Sequence, residues 1–156
     1  MVFLDVDGPL VPLARRTGAP HPAAGAAAER YGNPLLERVD PGDGPRLLAL
    51  GGELVWATTW AQDANEVVAP LLGLPPLPVV AWSESSAAPG DDRHWKTDDL
   101  LAWAAGRPFV WVDDEITAAD RRWVARHHAG PALLHRVDGR SGLTPADFDA
   151  IRDWVG

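Results

Sequence analysis

Short apolar runs that end in polar residues recur along the chain and constrain its fold more than any other feature. Runs of four or five residues without polar alternation are typical of strands buried on both faces of a parallel sheet. The last of the five runs is the weakest. The runs are Val2–Val6, Leu54–Ala57, Pro78–Trp82, Phe109–Val112 and Ala132–His135.

Segments with helical periodicity separate these runs. Thr144 precedes Pro145, which is the order expected of a helix cap followed by the first helical residue. Strands that alternate with helices of about 10–12 residues predict right-handed crossovers. We therefore expect an α/β fold: a Rossmann-like, three-layer α/β/α sandwich around a mostly parallel five-stranded sheet. The predicted helices are Ala61–Leu72, Trp95–Ala105, Thr117–His128 and Thr144–Val155.

The segment Pro9–Pro45 lacks this regular pattern and is rich in Pro, Gly and Ala. A segment of this length inside a compact domain is usually functional or mobile, so an irregular, flap-like insertion is predicted over residues 9–45. Within it, Leu35–Leu36 is a candidate minor strand, and Arg46–Leu50 resembles a short helix. The whole chain of 156 residues fits one domain, 1–156, with a core that needs no disulfide or structural metal.

Composition excludes several kinds of chemistry. The chain has no cysteine, which rules out disulfides, thiolate zinc sites and cysteine nucleophiles. A net charge of −8 argues against broad binding to duplex nucleic acid or to anionic membranes, although a local basic pocket stays possible. No stretch resembles a signal peptide or a membrane span of about 20 apolar residues. We expect a cytoplasmic protein.

Polar side chains follow the predicted strands or open the next helix. In open α/β sheets, ligands bind outside the carboxyl ends of the strands, so these groups should meet at one edge. Crowded carboxylates need a neutralising cation, and ligand sets made only of oxygen favour Mg²⁺. With a lysine and hydroxyls nearby, such a site suits phosphoryl transfer. The residues are Asp5, Asp7, Thr58, Thr59, Lys96, Asp113 and Asp114.

Four segments in this arrangement resemble the motifs of the haloacid dehalogenase (HAD) superfamily, in the family's order and across essentially the whole chain. The resemblance implies a HAD-type fold with a minimal cap insertion. A narrower resemblance, to the HAD domains of bacterial RNA-repair proteins and their stand-alone relatives, rests on Trp-Ala-Thr-Thr-Trp, Asn65 and Trp-Val-Asp-Asp-Glu. The four motifs are Phe3-Leu4-Asp5-Val6-Asp7-Gly8, Val55-Trp56-Ala57-Thr58, Lys96 and Trp111-Val112-Asp113-Asp114.

The resemblance implies a role for each matching residue. Asp5 would attack phosphorus and form an aspartyl-phosphate, and Asp7 would protonate the leaving oxygen and later activate water. Thr58 and Lys96 would hold the transferring phosphoryl group, and Gly8 would let the backbone pass close to it. These roles describe a phosphatase, because dehalogenases of the superfamily lack the second acid.

The resemblance also implies a Mg²⁺ site. Its ligands would be Asp5, the backbone carbonyl of Asp7, and Asp114. Asp113 would hold the Asp114 ligand in place from outside the ligand set. Pro9 departs from the family pattern, which usually has Thr or Val after the Asp-Gly pair. Because proline fixes φ and lacks an N–H, we expect a reshaped loop exit with catalysis retained.

The substrate is predicted from the cap insertions, which proteins of the HAD superfamily carry after the first motif or after the third strand. In this chain the second of these places holds only the loop Ser83–His94, so the site should be open and suit macromolecular ends or small phosphorylated molecules. We expect a phosphomonoester on a nucleotide or nucleic-acid end. Alternatives are a broad-specificity small-metabolite phosphatase and a non-catalytic phosphate-binding or regulatory module. No protein partner is indicated.

Several aromatic and basic residues have two interpretations. Trp60 and Trp95 flank motif residues and could stack on a nucleobase, or they could cover the sheet as core or rim residues. Together with Gly8 and Thr59 they form the candidate substrate-binding set. His94 could be a substrate contact or an acid, or it could be a surface loop histidine. The pair Arg15-Arg16 could hold a second phosphate or a nucleic-acid backbone, or be solvated loop charge.

Overall fold

A parallel sheet of four strands lies at the centre of the computed structural model, which describes residues 1–84 and 90–156. The strand order is β2-β1-β3-β4, and neighbouring strands are parallel throughout. Residues 85–89 of the predicted loop Ser83–His94 lie outside the described residues. The strands are β1 (Val2–Leu4), β2 (Leu54–Trp56), β3 (Phe109–Asp113) and β4 (Ala132–Arg136).

The prediction of a fifth strand at Pro78–Trp82 is wrong. This segment contributes one isolated bridge, between Val79 and Trp56. Two hydrogen bonds frame it: the Trp56 N–H donates to the Pro78 carbonyl at 2.8 Å, and the Val80 N–H donates to the Trp56 carbonyl at 2.9 Å. Pro78 has no N–H to donate, so the ladder cannot continue on the N-terminal side of this bridge. On the other side, the Thr58 carbonyl accepts a hydrogen bond from the indole of Trp82.

Helices connect the strands, and the prediction of four of them is close to what the structure shows. Thr117 and Thr144 each form a capping box with the aspartate three residues later, which fixes where two helices begin. In the described part of the chain, no helix is both long and apolar enough to cross a membrane. The helices are α1 (Pro22–Tyr31), a 3-10 helix (Pro34–Arg38), α2 (Asp43–Leu48), a π-helical turn (Ala64–Val68), α3 (Ala69–Leu72), α4 (Thr97–Ala104), α5 (Ala118–His127) and α6 (Pro145–Val155).

The core has two halves, one on each face of the sheet. Side chains alternate between faces along a strand, so Val2 and Leu4 pack on one side and Phe3 packs on the other. The first half includes residues of α1, α2, α3 and α6, and the second includes residues of α4 and α5. Helices therefore cover both faces, and the predicted three-layer α/β/α fold is confirmed.

Residues 9–45, predicted to be irregular, contain α1 and the 3-10 helix. Leu35–Leu36 lie in that 3-10 helix, so the prediction of a minor strand there is wrong. Asn33 accepts a hydrogen bond from the Leu35 N–H at 3.1 Å and Pro34 begins the turn, a local pattern that favours a helix start. Leu36 is fully buried against the first half of the core.

Candidate active site

Asp5 lies at the carboxyl end of β1, between the two neighbouring strands. Its backbone N–H donates to the Val112 carbonyl at 3.1 Å, which extends the pairing with β3. Its carboxylate is buried, and Oδ1 accepts a hydrogen bond from the Val6 N–H at 2.8 Å. The central place of β1 in the sheet order therefore puts Asp5 at the middle of the edge where ligands bind.

Lys96 joins Asp5 to Asp113. Its Nζ lies 3.1 Å from Asp5 Oδ2 and 2.8 Å from Asp113 Oδ2. The lysine is 3% exposed, so its charge is almost fully removed from water and depends on these two carboxylates. It is also the chain's single lysine.

The pKa values of these groups are displaced by burial and by one another. Burial raises the pKa of Asp5 to about 7; Lys96 opposes this rise and the neighbouring Asp113 adds to it. Burial likewise raises the pKa of Asp114, helped by Asp113. For Lys96, burial disfavours the ammonium, but Asp5 and Asp113 outweigh it and the pKa is raised. The site therefore holds more acidic groups than its own cation neutralises.

Three carboxylates form a cluster, which we call the carboxylate cluster: Asp5, Asp113 and Asp114. One oxygen from each lies within 4.8 Å of the others. Asp113 is fully buried and already occupied, because Oδ2 accepts from Lys96 and from Trp111 Nε1 (3.2 Å) and Oδ1 accepts from the Glu115 N–H (3.0 Å). Asp5 and Asp114 are thus the carboxylates best placed to bind a cation. A hard, all-oxygen donor set of this kind fits Mg²⁺.

Two glycines make room for Asp114. Gly8 has a φ of +94°, and a Cβ at this position would collide with the Asp114 carboxylate. A Cβ on Gly139, in the turn after β4, would collide with the same carboxylate. Gly8 is therefore needed for conformation and for space. Gly139 was not anticipated, although the Asp-Gly pair that begins three residues after the fifth predicted strand is a turn signal that could have indicated it.

The side chain of Asp7 lies outside the carboxylate cluster. It is exposed, and its Oδ2 accepts a hydrogen bond from Trp60 Nε1 at 3.1 Å. Trp60 is half-buried and packs against the first half of the core. Its indole therefore combines a rim position with a direct contact to Asp7.

Thr58 and Thr59 follow β2 and point to different environments. Thr58 is fully buried; its Oγ1 accepts from the Trp60 N–H at 3.2 Å and its carbonyl accepts from Trp82 Nε1 at 3.1 Å. Thr59 is exposed. The loop that carries Thr58 and Thr59 adjoins the end of β1, because the Ala57 N–H donates a hydrogen bond to the Leu4 carbonyl at 2.9 Å.

Trp95 and His94 stand at the start of the α4 region. Trp95 is 38% exposed and its ring meets the Trp82 ring edge-on, with centroids 4.9 Å apart. His94 Nε2 lies 3.0 Å from a carboxylate oxygen of Glu115, and the His94 N–H donates to Asp120 at 2.8 Å. His94 is thus paired within the loops that surround Lys96.

Pro9 does not open the first loop. The N–H groups of Leu10 and Val11 both donate to the Val6 carbonyl, at 3.0 and 2.9 Å, and the Gly8 N–H donates to the Val11 carbonyl at 2.9 Å. The Pro9 carbonyl accepts a hydrogen bond from the Leu143 N–H at 2.8 Å. The turn that contains Pro9 is therefore closed by backbone hydrogen bonds from the neighbouring residues.

Arg136 is a neighbour of the cluster that the sequence pattern did not single out. It ends β4, opposite Asp113 in the pairing with β3. Its Nε donates to the Asp114 carbonyl at 3.0 Å. The sequence could have indicated Arg136, because it directly follows the predicted strand Ala132–His135 and so lies at the same sheet edge as the acids.

The chain was also compared with known proteins. A family model described as the HAD domain in Swiss Army Knife RNA repair proteins matches residues 1–148. This range contains every residue of the carboxylate cluster and Lys96, and the match confirms the resemblance found in the sequence. No curated protein and no solved structure matches the chain.

Proposed function

This chain belongs to the family of HAD domains in Swiss Army Knife RNA repair proteins, and on that basis we propose that it is a Mg²⁺-dependent phosphatase that forms an aspartyl-phosphate on Asp5. Family membership supports a HAD-type hydrolase. The observation that supports the finer proposal best is the buried Lys96 between Asp5 and Asp113, beside Asp114. We further propose that residues 1–156 form one cytoplasmic domain.

The proposed reaction has two steps. In the first, a carboxylate oxygen of Asp5 forms a bond to phosphorus while the bond to the leaving oxygen breaks, and Asp7 gives that oxygen a proton. In the second, Asp7 takes a proton from water, the water oxygen bonds to phosphorus, and Asp5 leaves as a free carboxylate with inorganic phosphate as product. Thr58 and Lys96 hold the phosphoryl oxygens in both steps.

The donor set described above fits Mg²⁺, and we propose that Asp5, Asp114 and the Asp7 carbonyl would hold it. When bound, the ion supplies positive charge that offsets the repulsion between the carboxylates and the phosphoryl oxygens. Asp113 acts indirectly, because its oxygens are engaged by Lys96, Trp111 and the Glu115 N–H. Its part is to fix Lys96 between two acids.

The proposed substrate is a phosphomonoester on a nucleotide or nucleic-acid end. The description of the family as part of RNA repair proteins supports this choice. Thr59, Trp60 and Trp95 are the proposed contacts to the rest of the substrate, with Gly8 at the phosphate. A broad-specificity metabolite phosphatase is the second candidate, favoured by the exposed position of Asp7 and Thr59.

Phosphate release tests the proposal directly. The panel comprises p-nitrophenyl phosphate, nucleoside monophosphates, sugar phosphates and oligonucleotides with a 3′- or 5′-phosphate, each with Mg²⁺ and with a chelator. Asp5→Asn is the matched control, because it keeps the size of the side chain and removes the nucleophile. We expect release that needs the metal and is lost in the variant.

The intermediate can be detected separately. Substrate with a radioactive phosphoryl group should label the acid-quenched wild-type protein, and hydroxylamine should release the label because acyl phosphates react with it. Asp5→Asn should not be labelled. Turnover that persists in Asp5→Asn would overturn the proposed nucleophile, and no release from any substrate would favour the non-catalytic phosphate-binding module.

A further inference from the structure

A cavity of about 430 Å³ opens beside the carboxylate cluster. Leu13, Asp114, Arg136 and Arg140 are among the residues that line it. Arg136 uses its Nε on the Asp114 carbonyl, and its other guanidinium nitrogens make no hydrogen bond within residues 1–84 and 90–156. Arg140 is exposed, and its guanidinium has neither a hydrogen bond nor an ion pair in the same described ranges. Both arginines therefore have donors free for a ligand.

A second cavity, of about 470 Å³, lies farther along the first loop and is lined by Arg15, Arg16 and Arg38. Arg16 Nε donates to the Arg38 carbonyl at 2.7 Å, and Arg38 Nη1 donates to the Leu13 carbonyl at 2.7 Å. These bonds fix two of the arginines against the backbone. Arg15 is exposed and makes no side-chain hydrogen bond to any residue that the structure describes.

The two cavities meet at one stretch of backbone. The Leu13 N–H donates to the Gly139 carbonyl at 2.8 Å, and the Ala14 N–H donates to the Arg140 carbonyl at 3.2 Å. Leu13 lines the first cavity and Arg15 lines the second. The cavities share no lining residue but are neighbours along residues 13–15, and together they outline a path that leads away from Asp114. We call this path the arginine groove; its arginines are Arg15, Arg16, Arg38, Arg136 and Arg140.

We propose that the arginine groove binds the phosphodiester backbone of a single nucleic-acid strand whose terminal phosphate lies at the carboxylate cluster. The inference rests on the proposed function and narrows its substrate from nucleotides in general to the ends of oligonucleotides. Guanidinium groups suit this ligand because they bind phosphate oxygens through two parallel hydrogen bonds.

The charge distribution supports the groove. Five of the chain's thirteen arginines line it, although the net charge of the chain is −8. Acidic residues also line the cavities, but two of them serve the backbone: Asp40 accepts from the Gly42 N–H at 2.9 Å and Asp138 accepts from the Arg140 N–H at 2.9 Å. Glu37 is the remaining acid in the larger cavity. The five arginines still outnumber the four acids that line the same cavities, so the path carries a small excess of positive charge on an acidic protein.

Exposed apolar side chains favour a nucleic-acid strand, and not a free anion, as the ligand of the arginine groove. Leu13 is 63% exposed and Leu35 is 41% exposed, and they line the smaller and the larger cavity respectively. Each offers a surface for a sugar or a base beside the arginines. A mononucleotide carries only the phosphate that is removed, so it cannot use the arginines of the larger cavity.

The test compares substrates of different length. We would measure kcat/KM for a mononucleotide, for a nucleoside 3′,5′-bisphosphate, and for pentanucleotides with a 3′- or 5′-phosphate. The variants are Arg15→Gln and Arg140→Gln. Arg122→Gln is the matched control, because Arg122 is an exposed arginine of α5, a helix that packs on the other face of the sheet.

We expect wild-type kcat/KM to be at least tenfold higher for one of the pentanucleotides than for the mononucleotide. Each groove variant should lower the pentanucleotide value about tenfold and leave the mononucleotide value unchanged. The salt dependence of the pentanucleotide reaction should also become shallower, by about 0.7 in the log-log slope for each phosphate that the variant no longer binds. Arg122→Gln should change none of these values.

Three outcomes would overturn the groove. They are equal wild-type values for mononucleotide and pentanucleotides, equal losses on both kinds of substrate in the variants, and a bisphosphate that alone reproduces the whole gain. The last outcome would mean that a single second phosphate is bound.

A binding measurement tests the arginine groove independently of the proposed phosphatase activity. Fluorescence anisotropy with labelled pentanucleotides and the Asp5→Asn protein reports on the groove without turnover. Tight binding that Arg15→Gln and Arg140→Gln weaken would support the groove even if no substrate is hydrolysed. Hydrolysis of p-nitrophenyl phosphate without preferential binding of pentanucleotides would support the proposed phosphatase activity and contradict strand binding in the arginine groove.

Discussion

The indole Nε1 of Trp60 donates a hydrogen bond to Oδ2 of Asp7 at 3.1 Å. This contact joins the residue after the two threonines to the acid two positions after Asp5. Because the bond is to Asp7, the proposed general acid, we propose that Trp60 holds this carboxylate in place for the reaction. That role differs from stacking on a substrate base, and the two can be told apart.

Trp60→Phe removes this hydrogen bond and keeps an aromatic ring. We expect kcat to fall about tenfold with little change in KM, since a bond of about 1.4 kcal/mol to a charged acceptor is removed while the substrate contacts are retained. Steady-state kinetics with a good substrate measures both constants. Trp154→Phe, in α6, controls for the loss of an indole and should change neither. An unchanged kcat, with a rise in KM for nucleotides, would show that Trp60 serves only as the proposed substrate contact and would contradict the positioning role.

Gly139→Ala should weaken Mg²⁺ binding. A Cβ at this position would collide with the Asp114 carboxylate, which must then shift away from the carboxylate cluster. We expect Mg²⁺ affinity, measured by calorimetry or by the metal-dependent rise in melting temperature, to fall at least tenfold. Gly25→Ala in α1 is the control, because its Cβ would meet no described atom within 4 Å beyond its chain neighbours and the backbone of its own helix. Unchanged affinity in Gly139→Ala would show that Asp114 tolerates the displacement.

Asp43, which is not a member of the carboxylate cluster, should make the free energy of unfolding depend on pH. It is buried, and its Oδ2 has no hydrogen-bond partner among the described residues. Burial, and next the charge of Asp40, raise its pKa from 3.8 to about 6, although Arg16 and Arg46 partly oppose the rise. A carboxyl with a raised pKa stabilises the fold fully below the ordinary value and loses that contribution as the pH rises through about 6.

Asp43→Asn should therefore be more stable than wild type above the raised pKa and similar to it below about pH 4. The change from 3.8 to about 6 corresponds to at most about 3 kcal/mol in the free energy of unfolding. Urea unfolding at pH 4, 6 and 8 gives the difference at each pH. Asp153→Asn, an exposed acid of α6, controls for the loss of one negative charge. A difference that does not grow with pH would contradict the raised pKa.

The sequence predicted the fold where its signals are local. The starts of α5 and α6 follow from Thr117 and Thr144, whose capping boxes need only residues three positions apart. The predicted helix 61–72 shows the limit: Ala61 has a φ of +49°, and a π-helical turn begins at Ala64. Asn65 accepts from Trp56 Nε1 and from the Leu77 N–H, both at 2.8 Å. Those partners are distant in sequence, so no helical periodicity could indicate them.

The candidate site was predictable in part for the same reason. Asp5, Asp113 and Asp114 were expected together because parallel strands end at one edge, and their oxygens do lie close together. Lys96 was expected beside Asp5, and the structure adds that Asp113 shares it. The indole of Trp60 on Asp7 depends on how a loop turns after Thr58, which strand and helix patterns do not encode.

Lys96→Met tests how much the buried ion pairs contribute to the fold as well as to turnover. Without the ammonium, Asp5 and Asp113 remain buried with no cation beside them, and leaving a charge unpaired in this way costs about 3–5 kcal/mol. We expect a lower free energy of unfolding by about that amount and no measurable turnover. Urea unfolding without added metal gives the first quantity.

A second substitution separates the two effects of losing Lys96. Adding Asp5→Asn to Lys96→Met removes one of the stranded carboxylates, so the double variant should recover part of the lost stability. Its turnover should stay absent, because the nucleophile is gone as well. The pair of single variants and the double variant form a mutant cycle that measures the coupling between Lys96 and Asp5. Strictly additive losses of stability would show that the 3.1 Å contact between Lys96 and Asp5 contributes nothing to the fold.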